Sequence, residues 1–166
     1  MSDAGCRMSG VSGHRAPATD EWSFAGAPCF GERLPGVDYR IRPGAYAVIT
    51  AADGAVAVLA TPQGCFLPGG GCVAGESPEA TLGREVREEC GAAISIKDLI
   101  GPAIEWFYAP AEETYFEIRS LFFRAAFTEK PGTGGEDDHA LVWLSPAAAI
   151  ERLRRPSQRW AVGRSA

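Results

Sequence analysis

The chain has 166 residues, 46% of them hydrophobic, which is enough to bury one core and too few for two ordinary domains. Its formal net charge of −5 argues against general affinity for the nucleic acid backbone, because no basic stripe can replace the backbone's counterions. No apolar run approaches the roughly 20 residues of a membrane span, and no secretory signal is evident. Five cysteines without a C-x-x-C pair favour reduced thiols. We therefore expect a soluble, cytoplasmic protein.

The first residues differ in composition from the rest of the chain. Residues 1–27 are rich in Gly, Ser, Ala and Pro, lack hydrophobic periodicity, and have Trp22 and Phe24 as their large apolar anchors. We expect a largely disordered tail over residues 1–27 and a single folded domain over residues 28–166.

Short apolar runs and turn signals begin after Tyr39. Residues 45–49 and 55–59 are two such runs, and the intervening residues 52–54 (Ala-Asp-Gly) are typical of a hairpin turn. This pattern predicts two paired strands. Residues 66–71 (Phe-Leu-Pro-Gly-Gly-Gly) follow, and their glycines predict a flexible stretch whose backbone amides can approach a ligand closely.

The next segment carries the signals of a helix. Ser77 is a suitable N-cap, Pro78 suits the first helical position, and Gly91 is placed for a C-cap. We expect a helix of about fourteen residues between these caps.

One side of this helix is apolar. Leu82, Val86 and Cys90 recur every four residues, and such a stripe is expected to pack on a sheet. We therefore assign Cys90 to the core rather than to catalysis. Gly83 costs the helix about 1 kcal/mol relative to Ala, so we expect close packing against a strand or loop there.

The remainder of the chain predicts more strands than helices. Ser145 and Pro146 repeat the helix-start signal and predict a second helix through about Leu153. The strand-borne aromatic residues are expected to fill the core, and the basic segment from Arg152 to Arg159 is interpreted as a solvated helix end. The predicted strands cover residues 103–108, 116–127 and 141–144, and the predicted loop covers residues 131–138.

Three glutamates share one face of the first helix. Glu85, Glu88 and Glu89 stand at i, i+3 and i+4, which brings their carboxylates within about a turn of one another. Repulsion at this spacing costs an isolated helix roughly 0.2 to 0.5 kcal/mol per pair. Arg84 can pair with Glu88 and partly offset this cost. By spacing alone, the face is most simply a solvated, salt-bridged surface.

The upstream residues change that interpretation. Residues 70–92 follow the pattern G-x5-E-x7-R-E-U-x-E-E-x-G-U, where U is apolar, and this pattern resembles the Nudix box. Ordinary residue frequencies make an accidental match on the order of one in ten million. Ala92 stands where the family usually has a larger aliphatic residue, which implies looser packing there. The matching positions are Gly70, Glu76, Arg84, Glu85, Val86, Glu88, Glu89, Gly91 and Ala92.

The resemblance to Nudix (MutT-like) hydrolases extends over roughly residues 39–153. It implies an α+β fold in which a mixed β-sheet lies between helices, an α/β/α sandwich with the box as a loop–helix–loop. It also implies hydrolysis of a phosphoanhydride bond in a nucleoside diphosphate linked to another moiety, or in a related organic pyrophosphate. The alternative is a non-catalytic module that binds or senses a nucleotide, which the intact glutamates disfavour.

The implied cofactor is Mg²⁺, or Mn²⁺, since a pyrophosphate resists attack until a cation withdraws charge from it. By motif position, Glu88 and Glu89 are the principal metal ligands, and Glu85 completes the shell or orients the attacking water. Arg84 holds the glutamates in place.

Two further positions of the box are supporting. Glu76 is implied as a supporting ligand or a brace, and Gly70 as the point where the loop meets the helix. The general base lies in the box or on another loop, where Glu136 is the external candidate, with a solvated acidic turn as an equal alternative. Glu112 and Glu113 are weaker candidates.

The expected partner is a small-molecule nucleotide or pyrophosphate, with no membrane. A capped or triphosphate RNA end is the one nucleic acid substrate that the resemblance admits, and it leaves a homodimer open.

Overall fold

The structure, a computed structural model, describes residues 22–132 and 138–166. Within these ranges no helix has the length and apolar character needed to cross a membrane. The strands are β1 (Cys29–Phe30), β2 (Tyr39–Ile49), β3 (Val56–Thr61), β4 (Gly64–Phe66), β5 (Gly69–Gly71), β6 (Ile94–Ala109), β7 (Thr114–Phe127) and β8 (Ala140–Leu144). The helices are α1 (Pro78–Cys90), α2 (Pro146–Arg152) and α3 (Pro156–Ser165).

The strands form a mixed sheet of five and an antiparallel sheet of three. The larger sheet has the order β1-β6-β7-β2-β5, and the smaller one has the order β4-β3-β8. A long β6–β7 hairpin forms the middle of the larger sheet, with Tyr108 opposite Tyr115 near its turn. β2 runs parallel to β7, and the short glycine strand β5 runs antiparallel to β2.

The turn between β2 and β3 reverses the chain, but the two strands separate into different sheets. Thr50 and Val56 form only an isolated bridge beside that turn. β2 continues along β7, while β3 pairs with β4 and β8. The predicted pairing of residues 45–49 with 55–59 is therefore wrong. The turn residues specify only that the chain reverses direction. Which strands then pair depends on how β2 and β3 bury their two faces.

Helices cover the two faces of the larger sheet. On one face, the predicted stripe of Leu82, Val86 and Cys90 is fully buried in a core shared with β2. Burial raises the pKa of the Cys90 thiol to about 12, as expected for a core cysteine. On the other face, α3 contributes Ala161 and Val162 to a second core. The sheet thus lies between helices, as predicted.

The ends of α1 lie where the capping signals predict them. The Ser77 side chain accepts a hydrogen bond from the Ala80 N–H, and Pro78 occupies the first turn. Gly91 closes the helix in the left-handed conformation with a φ of 64°. Gly83 differs from expectation, because a Cβ added there would meet no atom within 4 Å.

The helix α3 has no counterpart among the sequence-based predictions. Its N-cap residue, Arg155, makes no side-chain capping bond. Instead, the carboxylate of Glu105 on β6 accepts hydrogen bonds from the Ser157 backbone N–H at 3.1 Å and from the Ser157 hydroxyl at 2.6 Å. A partner 52 residues away therefore caps this helix. Only residues 22–27 of the expected tail are described; there Phe24 and Ala27 pack in the core, and the boundary at residue 27 stays a prediction.

Candidate active site

The glycine strand β5 holds the last glutamate of α1. The backbone N–H of Gly69 donates to Glu89 Oε2 at 2.9 Å. Gly69 has a φ of +135°, and an added Cβ would lie 2.2 Å from the Ala45 carbonyl oxygen. Only glycine fits this backbone beside β2. The strand pairing of β5 thus determines where the carboxylate of Glu89 lies.

Gly70, the first position of the box pattern, lies against Glu85. A Cβ added at Gly70 would be 2.5 Å from Glu85 Cδ and 2.6 Å from its Oε2. The Glu85 carboxylate therefore occupies the space that any other side chain at residue 70 would need.

Glu76 binds the guanidinium of Arg84 through both of its oxygens. Arg84 Nε donates to Glu76 Oε1 at 2.9 Å, and Arg84 Nη2 donates to Glu76 Oε2 at 3.1 Å. The Thr81 hydroxyl adds a third hydrogen bond at 2.8 Å. The hydrogen bonds from Arg84, and then that from Thr81, lower the pKa of Glu76 from 4.5 to about 2. Glu76 is thus held as a carboxylate that braces Arg84.

Arg84 in turn reaches the glutamate face. Its Nη1 donates to Glu85 Oε1 at 2.6 Å and lies 3.5 Å from Glu88 Oε2. Its hydrogen bonds to Glu76, and then to Glu85, raise the pKa of Arg84, so it stays a cation. Glu85 is mostly covered, with 19% of its side chain exposed, whereas 60% of Glu88 is exposed. One guanidinium therefore screens the mutual repulsion of the carboxylates.

The carboxylate oxygens of Glu85, Glu88 and Glu89 are of the chemical type that a hard divalent cation binds. Within the described ranges, no cluster of three or more His, Cys, Asp or Glu is drawn together to hold a metal ion. Instead Glu85 and Glu88 turn toward Arg84, and Glu89 turns toward Gly69. Carboxylate oxygens are nevertheless the donors that Mg²⁺ prefers, and side chains at i, i+3 and i+4 can converge by rotation alone.

A cavity of about 600 Å³ opens beside Glu89. It lies against the larger sheet, β4 and the start of α3, and its walls include Tyr46, Phe107 and Arg155. Burial raises the pKa of the Tyr46 phenol to about 12, with Arg155 opposing and Glu89 adding to the rise. Arg155 and Glu89 are thus both close enough to Tyr46, a wall residue of this cavity, for their charges to affect its phenol.

The sequence of this chain matches the model of the NUDIX domain over residues 40–162. The chain belongs to the Nudix family. That membership covers well over half of its length and confirms the expected class of enzyme, a hydrolase of pyrophosphate bonds. A comparison with curated protein sequences found no match.

Solved structures share the Nudix fold at low sequence identity. The MutT protein from Methanosarcina mazei Go1 is 20% identical, with a TM-score of 0.62 over 78% of this chain and 95% of that one. The E. coli dihydroneopterin triphosphate pyrophosphohydrolase is 19% identical, with a TM-score of 0.63 over 75% and 94% of the two chains. The MutT NUDIX hydrolase from Burkholderia pseudomallei is 24% identical, with a TM-score of 0.53 over 76% and 99%. These likenesses confirm the predicted α+β Nudix fold.

The candidate bases outside the Nudix helix differ in their surroundings. Glu136 lies outside the described residues. Glu112 is paired with Arg42 at 2.8 Å, and Arg42 lines the cavity. Glu113 has a φ of +48° in the β6–β7 turn, where it follows a single 3₁₀ turn.

Arg155 lines this Nudix cavity, contrary to the sequence-based expectation. It was expected at a solvated helix end, yet only 24% of its side chain is exposed. The guanidinium carbon lies 3.6 Å above the centroid of the Phe107 ring. Pro156 is the signal that could have located it, because Pro at a first helical position marks the residue before it as the N-cap.

Proposed function

We propose that this Nudix protein hydrolyses, with a divalent cation, the phosphoanhydride bond of a nucleoside diphosphate linked to another moiety, or of a related organic pyrophosphate. The observation that carries the proposal is the contact of Glu89 with Gly69 at the edge of the cavity. It supports a site in which the carboxylates of α1 meet a space of nucleotide size, since ligand pockets span roughly 300 to 1,000 Å³.

The cation is Mg²⁺ or Mn²⁺, with Glu88 and Glu89 as principal ligands and Glu85 as the third. When bound, it withdraws charge from the phosphate oxygens and activates water. Arg84 orients Glu85 and Glu88, which its guanidinium already contacts. The Gly69 N–H fixes the carboxylate of Glu89.

Two carboxylates are candidates for the base that takes the proton from water. Glu85 is close to the other proposed ligands and mostly covered, with Arg84 and Gly70 against it. Glu136 is the external candidate. Glu136→Gln separates the two, because it lowers kcat by a factor of about 100 or more if Glu136 is the base and leaves kcat unchanged otherwise.

The test of the function is a screen with Mg²⁺ or Mn²⁺ over nucleoside triphosphates, dinucleoside polyphosphates, nucleotide sugars and capped RNA, with the products identified by chromatography. We expect at least one substrate to be cleaved at a phosphoanhydride bond, and the activity to be lost in EDTA. Glu88→Gln should lower kcat at least about 100-fold. Glu79→Gln is the matched control, an exposed carboxylate in the first turn of the same helix, and should retain activity.

Two results would count against the proposal. Full activity of Glu88→Gln would remove Glu88 from the metal site. Calorimetric binding of a nucleotide with no hydrolysis of any substrate would replace the enzyme by the non-catalytic binding module.

A further inference from the structure

The carboxylate of Glu105 is buried beside the cavity and fully engaged. Glu105 is 4% exposed, although it lies on a strand face that lines the cavity. Its Oε2 accepts from the Ser157 N–H and hydroxyl, and its Oε1 lies 3.4 Å from Arg155 Nη1. A buried carboxylate with three donors is satisfied, so it acts on Arg155 as a fixed anchor rather than as a free ligand.

Arg155 lies over an aromatic ring and is hydrogen-bonded to this anchor. Its guanidinium carbon is 3.6 Å from the centroid of the Phe107 ring, and its Nη1 donates to Glu105 Oε1 at 3.4 Å. Phe107 in turn packs on Phe116, with ring centroids 5.7 Å apart. A guanidinium carries five N–H donors, and among the described residues Glu105 is its one hydrogen-bond acceptor. The remaining N–H donors make no hydrogen bond to a described residue, and the Arg155 side chain lines the cavity.

Gln158 adds a second donor on the next turn. Its Oε1 accepts from the Leu67 N–H at 2.8 Å, so the carbonyl half of the amide is engaged. The amide NH₂ makes no hydrogen bond to a described residue, and the Gln158 side chain lines the same cavity. Neighbouring walls are apolar, at Phe66 and Ile118. This part of the cavity thus combines hydrogen-bond donors with apolar surface.

The charge at this wall is balanced. The positive charge of Arg155 is paired with the nearly buried Glu105, so a second anionic group gains little from binding there. The guanidinium of Arg155 still offers a ligand its planar face and the N–H donors at its edge that Glu105 does not bind. Guanidinium planes stack on nucleic acid bases and donate to their oxygen acceptors.

We propose that Arg155, held on Phe107 by Glu105, recognises the nucleobase of the substrate by stacking on it with its other guanidinium face, while the Gln158 amide donates to a keto oxygen of the base. The inference rests on the proposed function, which places the pyrophosphate of the same ligand at the glutamates of α1. Arg155 and Gln158 are binding residues in this assignment, and Glu105 is a positioning residue.

The test measures binding without turnover. Calorimetry in Mg²⁺ compares the α,β-methylene analogues of GTP, UTP, CTP and ATP with inorganic tripolyphosphate, which has no base. We expect at least one keto-bearing analogue to bind wild-type protein, and Arg155→Ala to weaken its Kd at least about tenfold. The tripolyphosphate Kd should change less than about twofold. Arg152→Ala removes the same charge from an exposed position three residues away and should have no effect.

Arg155→Lys and Phe107→Leu separate stacking from charge. Lys keeps the charge but lacks the planar fork, so the base-bearing analogue should bind nearly as weakly as it does to Arg155→Ala. Phe107→Leu removes the platform and keeps the arginine; because Phe107 is only half-buried, we expect this variant to fold. Circular dichroism melting of each variant checks the fold.

Three binding results overturn the inference. The first is wild-type affinity of Arg155→Lys for the base-bearing analogue, and the second is no binding of any analogue to the wild-type protein. The third is an equal loss of affinity for tripolyphosphate in Arg155→Ala, which would make this wall an anion site. Hydrolysis that is indifferent to Arg155 also overturns it. Arg155-dependent binding without hydrolysis instead contradicts the proposed function and leaves the inference standing.

Discussion

The backbone N–H of Gly69 donates to the carboxylate of Glu89 across 2.9 Å, joining the glycine strand β5 to the last turn of α1. The two residues are 20 positions apart in the sequence. The contact depends on how closely β5 approaches β2, because Gly69 sits over the backbone of Ala45 and Tyr46. Strand packing and the geometry of the glutamates are therefore linked through one residue.

Gly69→Ala should destabilise the protein strongly. Its Cβ would lie 2.2 Å from the Ala45 oxygen and 2.7 Å from Tyr46 Cα, both backbone atoms, at a φ of +135°. We expect a loss of about 2 to 4 kcal/mol in the free energy of unfolding, measured in urea. Gly54→Ala is the matched control, since Gly54 has a φ of +84° and open space around it, and should cost about 1 kcal/mol. Equal losses in the two variants would show that the clash is absent.

Gly70→Ala should separate activity from stability. The atoms that its Cβ would meet belong to the end of the Glu85 side chain, which can turn away. We expect a change below about 1 kcal/mol in unfolding free energy and a fall of about tenfold or more in kcat on the best substrate of the screen. Wild-type kcat in this variant would mean that the position of Glu85 does not matter.

Gly83→Ala should stabilise the protein. Gly83 is inside α1, and a Cβ there meets no atom within 4 Å, so the variant gains helix propensity without a clash. We expect a gain of about 1 kcal/mol in urea unfolding, with kcat unchanged. Gly163→Ala in α3 has equally open space and should give a smaller gain near the helix end. A loss of stability in Gly83→Ala would reveal a neighbour at this face.

Glu76 should make the stability of the cation-free protein depend on acid pH. Its pKa is lowered to about 2 by Arg84 and Thr81, below the 4.5 of the unfolded chain. A lowered carboxylate pKa stabilises the fold above the unfolded pKa, and the contribution is lost as pH falls toward the folded pKa. The difference in unfolding free energy between wild type and Glu76→Gln should therefore shrink from about pH 5 to about pH 3. Glu79→Gln, an exposed control, should show no such trend; a difference that is constant with pH would contradict the assignment.

Local signals predicted the helix at the centre of the site. Ser77, Pro78 and Gly91 define α1 because caps act within a few residues, and the buried stripe follows from helical spacing. The pattern of the box identifies Gly70, Glu76 and the three glutamates as candidates, because it fixes their positions in the sequence.

Long-range partners account for what the sequence did not predict. β2 and β3 diverge because their ladders form with β7 and β8, far along the chain. α3 lacks a local cap and depends on Glu105, and the same carboxylate draws Arg155 out of solvent. The partners in each of these contacts are too far apart in the sequence for local patterns to predict them.

Arg84 serves the glutamate face as a built-in counter-ion. Its guanidinium neutralises part of the charge on Glu85 and Glu88, while Glu76 keeps it in place. The helix is therefore relieved of part of the repulsion among its own carboxylates. If the proposed divalent ion binds Glu85 and Glu88, it competes with Arg84 for their carboxylate oxygens.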